Sequence, residues 1–340
     1  MVINLDKHGE QTHSDGLRRV FPSLSVVIPV FNSQETIGPL VDQLVAELSG
    51  HFDMLEIIMV NDGSMDNSHA TALAAVDRHP GVAKYVKLAR NFGEHNAVMC
   101  GLSYATGECA AIIDDDFQNP PGEIIKMVKK LAEGFDVVYS YYDKKQHNFF
   151  RNLGSSFNNL VATFLLKKPK NLYLSSFKVL NRFLIETITK YQGPYPYIDS
   201  LIIRSTASVG KQLCLHQKRE VGKSNYTPAK LFKLWLNMFT SLSILPLKVA
   251  SFLGITMATL GLVLAAFFTI SWHIGGIFSH QPVPPGWASL IVSVLLFSGL
   301  QFCILGMIGE YLGRMYLIAN RTPQYVVRKT WGAEKDRPEN

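Results

Sequence analysis

Two stretches near the carboxyl end set the first limit on what this chain can fold into. Val249 to Ile270, VASFLGITMATLGLVLAAFFTI, and Ala288 to Gly309, ASLIVSVLLFSGLQFCILGMIG, contain no charged residue. Each matches the ~20 residues a helix needs to cross a hydrocarbon layer, where every backbone polar group must be bonded internally. They predict two transmembrane helices. The connector SWHIGGIFSHQPVPPGW has no Lys or Arg, whereas Lys218, Arg219, Lys223, Lys230, Lys233 and Lys248 precede the first span and Arg314, Arg321, Arg328 and Lys329 follow the second. Positive flanks predict that both outer sides, and both termini, are cytoplasmic, with Trp272 and Trp287 at the opposite interface.

Just upstream, AKLFKLWLNMFTSLSIL places Leu231, Trp235, Met238 and Leu242 at helical spacing behind Lys230 and Lys233. This pattern predicts an amphipathic helix over 227–245 lying among lipid headgroups; an ordinary core-facing helix is the competing reading. The expected organisation is a leader over 1–20, a cytoplasmic domain over 21–226, that helix, a membrane region over 246–310 and a cytoplasmic segment over 311–340.

Within 21–226, the runs LSVVIPV, EIIMVND, VAKYVKL, CAAIID and DVVYSYY alternate with helical patterns such as TIGPLVDQLVAEL. Alternation of this kind predicts an α/β domain with a mostly parallel sheet. Ligands of open α/β sheets bind outside the carboxyl ends of the strands, here Pro29 to Asn32, Asn61 to Ser64, Arg90 to Asn96 and Asp114 to Gln118. No G-x-G-x-x-G and no G-x-x-x-x-G-K-[ST] is present, so hydride transfer and ATP hydrolysis lack their usual support.

The run CAAIIDDDFQNPP ends an apolar strand in three carboxylates. In an extended segment Asp114, Asp116 and Gln118 project to one side. Two carboxylates and an amide oxygen are hard ligands, suited to Mg²⁺ or Mn²⁺ shared with a diphosphate. Such a metal would stabilise charge on a departing nucleotide diphosphate. A second acidic strand end, NDGSMDNS, supplies Asp62, which either hydrogen-bonds a nucleobase or ribose or caps the following helix.

Taken together, SVVIPVFN, VNDGSMDNS, RNFGEHNAVMCGL, DDDFQNPP, REVGKSNY, LPLK before the first span and GEYLGRMY after the second resemble family 2 glycosyltransferases of the GT-A fold. The resemblance is closer to the membrane-anchored polyprenyl-phosphate glycosyltransferases, which include dolichol-phosphate mannose synthases and bacterial undecaprenyl-phosphate sugar transferases. It implies transfer of a sugar from a nucleotide-diphosphate sugar to polyprenyl phosphate, with inversion, at the cytoplasmic face of a plasma (bacterial inner) membrane. Homotetramers are a further implication.

The resemblance puts Pro29, Phe31, Asp62, Arg90, Gly93, Asp114, Asp115 and Lys223 at the nucleotide sugar and Asp114, Asp116 and Gln118 at the metal. Arg219 would clamp the donor diphosphate, so that Asp116, Asp114 and Arg219 carry the catalysis; Arg151 and Ser155 would hold the acceptor phosphate, and the need to screen its charge adds Lys178 to them. Five features depart from the family pattern. The basic loop, which usually ends in Ser-Lys-Tyr, reads Ser224-Asn225-Tyr226, with Lys223 displaced by two positions. Ser33 stands where the family often has Glu, and Asp115 where it often has Ala. Tyr142 falls where an acceptor-site Arg is expected. No acid occupies NLYLSSFKVLNR, where many members carry a catalytic-base Asp.

A phosphomonoester acceptor is largely ionised at neutral pH, with a second pKa near ~6, and needs positioning more than a base. Two other functions compete: a noncatalytic nucleotide-sugar-binding protein of the same fold, and a processive polysaccharide synthase, whose usual Q-x-x-R-W is missing. The net charge of +6 follows from the membrane flanks and from two phosphorylated substrates, with no call for nucleic acid.

Overall fold

The structure, a computed structural model, describes residues 20–142, 172–217 and 287–332, with scattered positions between 250 and 270. The chain divides into two compact units, Met1–Pro228 with Arg321–Asn340, and Ala229–Asn320.

The first unit is built on an eight-stranded mixed sheet. In chain order it contains β1 (Ser23–Val30), α1 (Ile37–Leu48), β2 (Met54–Asn61), α2 (Ser68–Arg78), β3 (Ala83–Leu88), α3 (Glu94–Tyr104), β4 (Cys109–Ile112), α4 (Glu123–Leu131) and β5 (Val137–Tyr141). It continues through β6 (Lys178–Asn181), α5 (Arg182–Thr189), α6 (Ile198–Ser205) and β7 (Val209–Leu213), and closes with β8 (Val327–Trp331). The strand order is β7-β5-β6-β4-β1-β2-β3-β8. β1 pairs in parallel with both β2 and β4, and β2 with β3. All five expected strands are present, and those four parallel ones send their carboxyl ends to the same edge of the sheet.

The sequence explains this arrangement locally. Leu24, Val26, Val27 and Ile28 in β1 are fully buried, as expected of a strand covered on both faces. Its side chains divide by parity: Val26 and Ile28 join the core under α1, α2 and α4, and Val27 the core under α3, α5 and α6. α1 buries Ile37, Leu40, Val41, Leu44 and Leu48, an i, i+3, i+4 stripe.

Three strands carried no sequence expectation. β6 runs antiparallel to β4 and β5, and β7 parallel to β5. β8, within the segment expected to be a cytoplasmic tail, pairs antiparallel with β3. Trp331 packs its ring 5.1 Å from Tyr85 and 5.4 Å from His69. Tyr325 OH lies 3.0 Å from Ser103 Oγ, and Gln324 Nε2 donates to the Gly193 carbonyl at 3.0 Å.

In the second unit, α7 (Trp287–Ala319) contains the expected span 288–309 and continues through Glu310 and Arg314, which pair at 2.8 Å. Its segment Phe297–Ala319, of mean hydropathy 1.3, is long and apolar enough to cross a membrane. Among the described residues it is the one such helix. Residues 254–257 of the first expected span are helical; most of that span and the whole of 227–245 lie outside the described residues.

Candidate active site at the strand ends

The carboxyl ends of β1 and β2 are fastened to each other by side chains the intervening turns supply. Asn32 adopts a left-handed backbone, φ 56°, donates its N–H to Ser64 Oγ at 3.0 Å and accepts from Met65 N–H at 2.9 Å. Gln34 N–H donates to Asp66 at 3.1 Å, and Ser64 N–H to Asn61 Oδ1 at 2.8 Å. NDGSMDNS therefore spends most of its polar groups shaping the β1 turn. Phe31 stays 44% exposed there, while Pro29 pairs with Val60 inside the sheet.

Asp62 is 3% exposed, and its two oxygens accept the N–H groups of Phe92 at 2.6 Å and Gly93 at 2.8 Å. Burial raises its pKa against the lowering effect of those bonds. Asp62 thus holds the β3–α3 turn, in which Gly93 has φ 97° and exposed Arg90 covers the Phe92 ring at 4.7 Å. Of its two expected roles, these bonds do not describe a cap of the helix that follows β2. Gly63 closes the same junction. Its φ is +73°, and a Cβ there would stand 2.5 Å from Asn91 N. Gly63→Ala is expected to displace the Arg90 turn and to lower stability by ~1–3 kcal/mol, measured by thermal unfolding.

At the end of β4 the chain does not stay extended, which corrects the expectation that pleating aligns Asp114, Asp116 and Gln118. It bends over residues 115–119, and Phe117 is left-handed, φ 58°. The cause is local: Asp116 Oδ1 accepts the Gln118 N–H at 3.1 Å, an Asx turn. The three acids consequently have separate partners. Asp114 accepts from Ser176 Oγ at 2.5 Å, Asp115 from Ser33 Oγ and the Phe31 N–H, and Asp116 from its own turn. The Gln118 carbonyl accepts the Gln217 N–H at 2.9 Å, which ties the acid loop to the chain two residues before Arg219. Arg219, Lys223, Arg151 and Ser155 themselves lie outside the described residues.

Charge is concentrated here. Burial pushes Asp115 up to about 6, with Asp114 and Asp116 adding repulsion. Glu94, at the start of α3, keeps part of its residue exposed while protein crowds its carboxyl; that burial pushes it up to about 7, with Asp114 adding repulsion against the pull of Lys178. A carboxyl held above its ordinary value of 4.5 binds its proton more tightly folded than unfolded, so its contribution to stability falls as pH rises from 4.5 through about 7. Glu94→Gln, with metal chelated, is expected to unfold at a higher temperature than the parent at pH 8 and at the same temperature at pH 4. Scanning calorimetry at the two pH values checks this.

Behind Glu94, Lys178 is 3% exposed and its Nζ is paired with Asp199, which also accepts the Tyr139 hydroxyl at 2.9 Å. The ammonium lies 5.1 Å from the centre of the Tyr139 ring. His95, pushed down to about 4 by burial, meets Tyr197 edge-on at 5.0 Å. Tyr142 donates to Asn119 Oδ1 at 2.6 Å and stacks on His216 at 4.3 Å. Sequence reading assigned no role to Glu94, His95, Tyr139, Ser176 or Asp199. Glu94 and His95 lie inside RNFGEHNAVMCGL, a signal that was available; the others have none in their own segments.

Asp114 and Asp116 suit a hard divalent cation in charge and ligand type. Their surplus negative charge, expressed in the raised Asp115 and Glu94, is what such an ion would offset. Among the described residues no three His, Cys, Asp or Glu side chains are grouped to hold a metal.

Residues 25–189 match the family model described as glycosyl transferase family 2. The undecaprenyl-phosphate 4-deoxy-4-formamido-L-arabinose transferase of Serratia proteamaculans (strain 568) is 32% identical, covering 94% of this chain and 97% of its own. The protein of the same description from Yersinia enterocolitica serotype O:8 is 31% identical over 92% of this chain and 94% of its own. Among solved structures, Mycobacterium tuberculosis glucosyl-3-phosphoglycerate synthase, crystallised with Mn²⁺, uridine diphosphate and glucosyl-3-phosphoglycerate, superposes with a TM-score of 0.52. It is 19% identical and covers 67% of this chain and 81% of its own, a likeness of fold.

Proposed function

Because the chain belongs to glycosyltransferase family 2, among its polyprenyl-phosphate glycosyltransferases, we propose that it moves one sugar from a nucleotide-diphosphate sugar to polyprenyl phosphate at the cytoplasmic membrane face. A phosphate oxygen of the lipid forms the new bond to the anomeric carbon. The bond from that carbon to the nucleotide diphosphate breaks on the opposite side, which inverts configuration. The observation that carries this reading is the acid loop, Asp114 to Gln118, standing at a parallel-strand edge beside the Phe31 and Arg90 turns.

In this reading Phe31 and Arg90 flank the nucleoside, with Pro29 and Gly93 shaping the adjoining backbone. Asp114 and Asp116, with Gln118, hold Mg²⁺ or Mn²⁺. The bound ion supplies positive charge against the diphosphate as it departs. Arg219 and Lys223 would add to that charge; their attachment behind Gln217, bonded to the Gln118 carbonyl, supports such a placement. Arg151 and Ser155 are proposed to receive the acceptor phosphate. Lys178 is proposed as a buried strut through Asp199 in place of a direct phosphate ligand.

Two apolar spans, both termini cytoplasmic, and the amphipathic segment over 227–245 would keep the reaction at the lipid surface, with a homotetramer as the assembly the family resemblance suggests. The named relatives suggest undecaprenyl phosphate as acceptor and a deoxy-formamido pentose as the first donor to try.

The deciding experiment is mass spectrometry of lipid-linked products after incubating the full chain with undecaprenyl phosphate, Mn²⁺ and a mixed panel of nucleotide sugars. One added sugar per lipid is expected. No product from any donor removes the proposal in favour of a binding protein, and products with several sugars favour a processive synthase.

A further inference from the structure

Glu94, at the start of α3, stands apart from the acids of the β4 loop. α3 lays Ala97 and Gly101 on the sheet: Ala97 packs in one core with Val27 and Val60, and a Cβ on Gly101 would run into Val27. Glu94 lies one turn above Ala97 in the same row, so its side chain leaves the helix over the carboxyl ends of the strands. An acid in the first turn of a helix ordinarily faces water and complements the helix dipole. This one meets the charges of Asp114, Lys178, Asp199 and Asp115. Lys178 is already matched by Asp199, so the charge left around Glu94 is that of the acid loop. Among the described residues no N–H or O–H donates to the Glu94 carboxyl. A crowded carboxyl without a donor costs the fold, and a bound molecule that brings donors would offset that cost.

We propose that Glu94 reads the sugar being transferred: it accepts hydrogen bonds from hydroxyl or amide donors on that sugar, and its charge turns away sugars that carry a carboxylate. The inference rests on the reading of the site as one for a nucleotide sugar. A sugar joined to a diphosphate held by an ion at Asp114 and Asp116 begins one phosphate away from that ion, and Asp114 is the acid that acts most strongly on Glu94. Asp115 is drawn the other way, by Ser33 and the Phe31 N–H, toward the exposed Phe31 ring where the nucleoside is placed. The lipid phosphate is kept off Glu94 by charge, since an ionised carboxylate is an acceptor only and repels an anion. The transferred sugar, rich in donors, is the substrate part that fits. His95 meets Tyr197 edge-on at 5.0 Å, which joins the start of α3 to the start of α6 and keeps Glu94 in register with Asp199. Acceptors and like charge in this arrangement favour neutral sugars over uronates.

The test is binding, free of turnover, by calorimetry of the full chain in detergent with Mn²⁺ at pH 8. ADP, CDP, GDP and UDP are titrated first, and the tightest binder is then compared with its glucose, N-acetylglucosamine and glucuronic acid conjugates. In the parent, at least one neutral conjugate is expected to bind roughly tenfold tighter than the bare diphosphate, and the glucuronate roughly tenfold more weakly than the glucose conjugate. Glu94→Ala should erase both differences while changing the bare diphosphate much less. Glu94→Gln, which keeps an acceptor and loses the charge, should retain part of the gain from the neutral sugar and accept the glucuronate.

If Glu94→Ala lowers the unfolding temperature, Glu94→Gln alone is read, for its lost rejection of the glucuronate. A parent that gains nothing from either neutral sugar, or variants that shift the bare diphosphate and all conjugates by the same factor, overturn the assignment. A parent that binds none of the four nucleoside diphosphates overturns the underlying nucleotide-sugar reading, a distinguishable failure.

Discussion

Asp116→Ala is expected to cut sugar transfer on the order of a thousandfold at saturating donor and Mn²⁺, a loss of charge stabilisation of the size seen when one transition-state contact is removed. The side chain has two jobs that the substitution would remove together. It accepts the Gln118 N–H and so sets the Asx turn, and it is proposed to supply negative charge to the metal. Asp116→Asn separates them, because the amide keeps an Oδ1 acceptor for the turn but gives up the charge. Both variants should be nearly inactive and should unfold within a few degrees of the parent. An Asn variant that retained most of the parent kcat would reduce Asp116 to a turn-former and defeat the metal assignment. Asp115→Ala, whose partner is Ser33, should chiefly raise the donor KM.

Lys178→Met is expected to lower stability by ~3–5 kcal/mol, since it strands the Asp199 carboxylate at 6% exposure with, among the described residues, the Tyr139 hydroxyl as its remaining donor. In a domain of this size that corresponds to roughly 10 °C in the unfolding midpoint. Adding Asp199→Asn should recover most of the loss, because the amide oxygen still accepts from Tyr139 and no unpaired charge is left. The alternative role, expected from the charge of the acceptor, is a direct ligand for its phosphate. In that case Lys178→Met would raise the KM for polyprenyl phosphate with little change in the midpoint, and Asp199→Asn would restore nothing. Thermal unfolding of the single and double variants, with acceptor kinetics beside it, separates the two.

What the sequence made legible was whatever is encoded over a few residues. The five alternating runs of the α/β domain announce themselves because each strand is a short apolar block bounded by turn residues, and carboxylates at their ends stand out against that background. β6, β7 and β8 do not: KVLN is four residues long, VGKQL is half polar, and VRKTW follows a long apolar helix. Their strand character comes from partners distant in sequence, and pairing of that kind leaves little local trace. The site follows the same rule. Asp114, Asp116 and Asp62 are visible as acids at strand ends. Asp199 is a lone acid in a short helix, and its meaning appears only when β6 brings Lys178 against it. The pleating argument failed at Phe117 because a side chain, Asp116, bonds the backbone two residues on and turns it.

β8 carries a consequence for how the molecule is made. The strand that covers β3 is encoded after the apolar helix Trp287–Ala319, so the ribosome finishes the helix before the sheet can be completed. Until β8 emerges, the free edge of β3 is open to pairing with another nascent chain. Assembly of the sheet thereby waits on synthesis of that apolar helix, and a fragment ending at 226 would have to survive with that edge unguarded. β8 acts as a completion mark, read by the fold itself.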